Sequence, residues 1–380
     1  MKKKDIVSRE AERQFLALLR AGLWGGKADM ACFPESGLPD WKGILYLGRS
    51  QAVLPLIYDG MLTLPEEMRL HGPALMRLIA YVDRIEGLNR ELDEASAEIS
   101  ARLAAEGIRS VLLKGQGLAV LYRIPGHRQC GDIDLYVGEE NYRKAINIIR
   151  NWNEIHNEQP EMTKHTCFEF KNVELEIHKR CLDIHELRVS KHYIILEKNE
   201  LCKNDCLVYL SDSKIPVYVP PIEFNLFYVF FHAFNHFMRS GLGLRQLCDL
   251  AILLHTHKKH INKTILTNFL KEYKLDREWQ VFISLIVNTI GLPKDDAVLY
   301  DSSYNKLSYE LLKIIENDGN FGHSKDLPTY YNRPRIFRKI GNLFVHLILL
   351  KRRYKFSPRQ TRIYFFSTWR TGISNFIKGL

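Results

Sequence analysis

The chain has 380 residues and a mass of 44.4 kDa, long enough for two modest domains with a sizeable core. Apolar residues at 46% and charged residues at 26% exclude wholesale disorder, collagen-like repeats and a disulfide scaffold. Lys and Arg outnumber Asp and Glu by 54 to 44, yet twelve of those bases lie between Arg333 and Leu380, where there is no acid. Subtracting them leaves 42 bases against 44 acids, so a near-neutral body carries a strongly basic tail.

In chain order, the first hundred residues read as helical. Ser8 is placed to cap a helix carrying Phe15, Leu16, Leu18 and Leu19 that stops at Gly25-Gly26. A second helical stretch spans Ser50 to Leu62. A long third runs from Pro73 to Ala105 with apolar residues at three- and four-residue spacing, ended by Gly107. The period then changes. Val111-Leu112-Leu113 is a short buried strand, followed by the turn Lys114-Gly115-Gln116-Gly117 and one or two helical turns to Tyr122. Asp132 to Val137 alternates like a half-buried strand, and Glu139 to Trp152 resumes helical spacing. Thr166 to Lys171 and Val173 to His178 form a strand pair turning at Asn172, and Leu207 to Tyr218 holds another hairpin. Phe224 to Phe237, Leu244 to His255 and Ile265 to Ile290 read as the helices of an α-helical half.

Met1-Lys2-Lys3-Lys4 is followed by Asp5, Glu10, Glu12 and Arg13, where a signal peptide has an apolar core. The nearest approach to the roughly 20 apolar residues of a spanning helix, Leu343 to Leu350, is short and contains His346. The seven cysteines are odd in number and scattered, as free thiols in a reducing compartment are, so a cytoplasmic location is expected. Cys202 and Cys206 form a lone CxxxC pair without the second half of a zinc site.

The most informative stretch is Leu113 to Val137. A glycine turn after a strand lets a phosphate approach backbone N–H groups. Asp132 and Asp134, two apart on a strand, project to one face and suit divalent ions roughly 3.5–4 Å apart. A third acid from a neighbouring strand would complete the set, and Glu174 and Glu176 both sit on the polar side of such a strand. Surface strands alternate polar residues in any case, so the pair gains its weight from the turn before it and the acids after it.

These residues resemble the nucleotidyltransferase superfamily with the DNA polymerase β-like fold, and within it the bacterial branch of uncharacterised nucleotidyltransferase family proteins. The resemblance is carried by Leu113-Lys114-Gly115, Tyr122, Arg128, Asp132-Ile133-Asp134, Glu176-Ile177-His178, His232, and Arg245 with Asp249, from about residue 40 to 260. The superfamily's turn is usually Gly followed by Gly or Ser; here it is Gly115-Gln116, with fifteen residues between it and Asp132. The resemblance implies an α+β fold. A polymerase β-like module with a small mixed sheet (107–220) would lie between an N-terminal helical segment (1–106) and a helical domain (221–332), with the basic tail at 333–380. It implies Mg2+ or Mn2+ on Asp132, Asp134 and Glu176, with Glu176 also near the acceptor hydroxyl. Lys114, Gly115, Gln116 and Arg128 would bind the nucleotide, and His178, His232 and Arg245 would support the site, with Glu174 as the spare acid.

The residues also admit plainer roles. His232 and His236, four apart, have no Glu between them in the zinc-protease arrangement and read as core or supporting residues. Arg245 and Asp249, also four apart, read as a helix salt bridge. The tail interleaves its bases with Phe337, Phe344, Tyr354, Phe356, Tyr364, Phe365, Phe366, Trp369 and Phe376. That pattern suits RNA, an anionic membrane surface at the inner face, or a helical cap with solvated charges and aromatics in the core. The expected activity is metal-dependent transfer of an NMP from an NTP to an acceptor hydroxyl of a protein, RNA, sugar phosphate or small molecule. The alternative is a non-catalytic nucleotide- or partner-binding module of the same fold.

Overall fold

The computed structural model describes residues 7–159, 161, 164–181, 187–202, 205–210, 213–239, 241–318 and 335–366. Helix α1 (Arg9–Trp24) starts where the Ser8 side chain accepts the Ala11 N–H at 2.9 Å and ends at Gly25 in the left-handed conformation. The helix expected over Ser50–Leu62 is α3 (Leu54–Met61), and a further helix that the sequence reading did not place, α2 (Trp41–Ser50), precedes it. Asp40 caps α2, Ala52 at φ 55° turns the chain, and Pro55 opens α3. Helices α1 and α3 cross so closely that a Cβ on Gly22 would lie 1.9 Å from the Leu56 carbonyl oxygen, and one on Gly60 2.1 Å from that of Leu18. Helix α4 (Gly72–Ala105) runs the full expected length.

The sheet is mixed and seven-stranded. Its strands are β1 (Val111–Leu113), β2 (Asp132–Tyr136), β3 (Ile155–His156), β4 (His165–Phe170), β5 (Val173–His178), β6 (Leu207–Tyr209) and β7 (Pro216–Tyr218), in the order β3-β4-β5-β2-β1-β7-β6. Strand β2 runs parallel to β5 and antiparallel to β1. Helix α5 (Gly115–Ala119) follows β1, α6 (Gly138–Arg150) follows β2 and α7 (Leu187–Cys202) precedes β6. One face of the sheet packs Ile133, Leu135, Leu175 and Ile177 against Leu92, Ile99 and Leu103 of α4 and Ile146 and Ile149 of α6. The other face carries the polar residues of β2 and β5.

That polar face is covered by α8 (Ile222–Arg239) and α9 (Leu244–His257). Helix α8 is nearly all apolar and buried, with Phe224, Phe227, Phe230, Phe234 and Phe237 in a core that also takes in α1, α3 and α9. The expected helix from Ile265 to Ile290 is broken. Lys274, left-handed at φ 54°, ends α10 (Lys263–Tyr273), and α11 (Asp276–Leu285) runs on into a π turn over Ile286–Ile290. Helix α12 (Asn305–Asp318) follows.

In the tail, α13 (Arg335–Arg353) and a helix over 358–366 pack on the helical half. Arg353 is wholly buried, donating to the Met238 carbonyl at 2.7 Å above the Phe237 ring, and Phe356 and Tyr364 are core residues. Phe344, Tyr354 and Phe366 are exposed, whereas Trp369 and Phe376 lie outside the described residues. No described helix is long and apolar enough to cross a membrane, and no two described cysteines are bridged.

Candidate functional site

Strand register assembles the site. Side chains paired across neighbouring strands share a face, and Asp132 lies beside Glu174, Asp134 beside Glu176, and Tyr136 beside His178. The antiparallel partner β4 adds Glu169 beside Glu174, Cys167 beside Glu176 and His165 beside His178. One sheet face therefore presents three rows of titratable groups. Glu174, the spare acid by sequence, stands directly beside Asp132 and lines the same cavity.

Lys114 occupies the centre of this array. It terminates β1 at φ 41°, ψ −138°, a conformation that costs a non-glycine residue about 1–3 kcal/mol. Its Nζ lies 3.0 Å from Asp134 Oδ2 and 3.8 Å from Asp132 Oδ2. Burial disfavours the ammonium, but Asp134, Asp132 and Glu176 more than offset it and hold its pKa above the ordinary lysine value. Asp134 is 2% exposed; burial opposes its charge, yet Lys114 and His178 keep the carboxyl well below the usual range. His178 Nε2 is 3.0 Å from both Asp134 Oδ1 and Glu176 Oε2. Burial works against protonation of His178, and the two carboxylates overcome it and raise its pKa. Glu176 is destabilised by burial, but the same histidine holds its pKa below the ordinary value.

The residues fit a hard divalent cation. Donor atoms of Asp134, Glu176 and His178 lie within 4.8 Å of one another, and the buried Asp134 Oδ2 faces the Lys114 ammonium at 3.0 Å. The Lys114 ammonium shows that a positive charge is stable between Asp132 and Asp134. Asp132 stands at the rim, its side chain 36% exposed and outside that tight group.

The acids open into a cavity of about 420 Å³, within the range of small-ligand sites. Lys114, Arg128, Lys164 and Arg245 give it a basic wall beside the Gly115 backbone, and α8 contributes Tyr228, His232 and His236. The two helix histidines face each other, Nε2 to Nε2 at 3.0 Å. Burial lowers both pKa values, that of His236 to about 4, so the pair is neutral at physiological pH.

Three sequence expectations change. Gln116 does not turn its side chain to the cavity; it is 2% exposed and donates to Asp93 of α4 at 2.6 Å, leaving only its backbone for a ligand. Arg128 lines the cavity, but its fork is already used: Nε and Nη2 donate to Asp249 at 2.7 and 2.8 Å. Only Nη1 is unpartnered, so bidentate capture of a phosphate is closed to it. Asp249 consequently does not pair with Arg245. It takes Arg128 and the Tyr122 hydroxyl (2.7 Å), while Arg245 Nη1 donates to the Gln129 carbonyl at 2.7 Å and its Nε is left buried without a partner.

Sequence reasoning missed Lys164, His165 and Tyr228. For His165 a signal existed, since counting back from the turn at Lys171-Asn172 sets it opposite His178. Lys164 and Tyr228 carry no such mark.

The model of the family described as uncharacterised nucleotidyltransferase matches residues 38–291. Among solved structures, the chain is similar to an antigenic nucleotidyltransferase-like protein from Paracoccidioides brasiliensis. The identity is 12%, the match covers 49% of this chain and 90% of that one, and the TM-score is 0.32. No curated protein matches the chain significantly.

Proposed function

The chain belongs to the uncharacterised nucleotidyltransferase family, and we propose that it transfers an NMP from an NTP to an acceptor hydroxyl with Mg2+ or Mn2+. The observation that carries this reading is the set of carboxylates placed side by side by β2 and β5 at one end of a basic cavity. Asp132, Asp134 and Glu176 would hold the cation. When bound, it would neutralise the triphosphate and favour the ionised acceptor hydroxyl. Lys164, Arg245 and the free Nη1 of Arg128 line the wall on which phosphate oxygens would lie. The acceptor oxygen bonds to the α-phosphorus as the bond from that phosphorus to the bridging oxygen breaks, and pyrophosphate leaves with that oxygen. Glu176, ionised and oriented by His178, is the carboxylate placed to take the hydroxyl proton.

The test is transfer of label from each α-labelled NTP in the presence of Mg2+ and a cell extract. Asp132→Asn with Glu176→Gln should abolish labelling while the melting curve keeps its shape. Labelling at the wild-type rate by that double variant would reject the assignment. One observation favours a second reading: Lys114 already neutralises Asp134 without any metal. A module that binds nucleotide without turnover would show Mg2+-dependent thermal stabilisation by NTP and no pyrophosphate release.

A further inference from the structure

Beside the oxygen ligands the same sheet face carries a set of different chemistry. His165 and Cys167, two apart on β4, point to one side, and pairing with β5 puts Cys167 next to Glu176. An imidazole nitrogen, a thiol sulfur and a carboxylate oxygen thus lie within 4.8 Å of one another. His165 Nδ1 is 3.5 Å from Glu176 Oε2, and Cys167 Sγ is 4.0 Å from Glu176 Oε1. The first falls within the edges, about 3.3–3.7 Å, of a tetrahedron built on zinc–nitrogen and zinc–sulfur bonds of about 2.0–2.3 Å, and the second, to the other carboxylate oxygen, lies a little beyond them.

A second observation points to a ligand. His165 is 7% exposed and lines the cavity, yet its Nδ1 is buried and makes no hydrogen bond. A buried polar atom left without a hydrogen bond costs about 1–3 kcal/mol, and the Glu176 carboxylate stands beside it at 3.5 Å. Thiolate and imidazole select borderline metals such as zinc; magnesium takes oxygen. The tool for separating the two classes is therefore built into adjacent rows of the sheet.

We propose that His165, Cys167 and Glu176 form a zinc site whose occupancy withdraws Glu176 from the oxygen-ligand set and stops transfer. As the sulfur–zinc bond forms, the Cys167 thiol proton passes to water. Binding of the metal stands on the geometry alone, whereas inhibition rests on the function proposed above.

The full chain is titrated with Co2+, a spectroscopic stand-in for zinc. One equivalent should give a thiolate-to-cobalt charge-transfer band that Zn2+ displaces and millimolar Mg2+ leaves in place. Cys167→Ser should remove the band and weaken binding roughly 100-fold or more, at least the loss seen on removing a supporting residue of a metal site. His165→Gln should weaken it comparably, and serves if the serine variant does not fold. The Cys202→Ser/Cys206→Ser protein should keep the band. A band that survives Cys167→Ser, or that vanishes only with Cys202 and Cys206, overturns the site. In the Mg2+-dependent transfer assay, Cys167→Ser should need at least tenfold more Zn2+ for half inhibition than wild type. An unchanged zinc sensitivity overturns the inhibitory role. If neither protein transfers label, the functional reading falls while the cobalt band still decides the metal site.

Discussion

Removing the Asp249 carboxylate separates two readings of the same residue by an order of magnitude. As the partner of Arg245 four residues away on one helix, Asp249 would be worth about 0.3–0.5 kcal/mol. In the structure it is 4% exposed and accepts three hydrogen bonds, two from the 3%-exposed guanidinium of Arg128 and one from Tyr122. Asp249→Ala therefore strands a buried positive charge and a buried hydroxyl, a loss of about 3–5 kcal/mol. Urea unfolding followed by tryptophan fluorescence and circular dichroism measures it as a lower midpoint at unchanged slope. Replacing both partners, Arg128→Met with Asp249→Leu, should recover much of the loss, because no unpaired charge then remains inside. A loss under about 1 kcal/mol for Asp249→Ala, or no coupling between the two sites, would refute the pairing.

Gly60→Ala forces a methyl against the Leu18 carbonyl oxygen and should cost about 3 kcal/mol, read as a drop in melting temperature; an unchanged melt would show that α1 and α3 can part freely. Burial pushes the Glu197 carboxyl up to about 7 against 4.5 for an ordinary glutamate, so the folded chain keeps a proton that the unfolded chain has lost. Stability from this group is full below pH 4.5 and falls as the pH rises to 7, by on the order of 3 kcal/mol. Glu197→Gln should flatten that slope, and equal slopes in urea titrations across this range would discard the assignment. Lys164→Ala and Arg245→Ala should each weaken nucleotide binding about tenfold or more, the worth of one charge-assisted hydrogen bond. Calorimetry with NTP and Mg2+ measures this, and wild-type affinity in both variants would remove these residues from the phosphate wall.

Local order was largely legible in the sequence because it is decided by neighbours along the chain. The Ser8 cap, the Gly25 and Gly107 stops, the length of α4 and the strand positions of β2 and β5 each follow from a few consecutive residues. Strand β2, expected to be half-buried, is nonetheless buried on both faces beyond Asp132. The breaks at Ala52 and Lys274 were not legible, since both are non-glycine residues held left-handed by their surroundings. The acids were legible as a set, because two residues on a strand necessarily share a face. Which acid meets which was not: the parallel register of β2 on β5, with no short turn to fix it, pairs Asp134 with Glu176 and promotes Glu174 from spare to neighbour of Asp132.

The sequence by itself determined the family and the chemical inventory: carboxylates on strands, a glycine turn, and bases segregated in the tail. Tertiary structure alone decided how that inventory is partnered. It spent the fork of Arg128 on Asp249, turned Gln116 into α4, set Lys114 between the acids and brought Lys164 and His165 to the cavity. Hydrogen-bonding groups removed from water must find partners wherever the packed chain supplies them, and that supply comes from residues more than a hundred positions away as readily as from four.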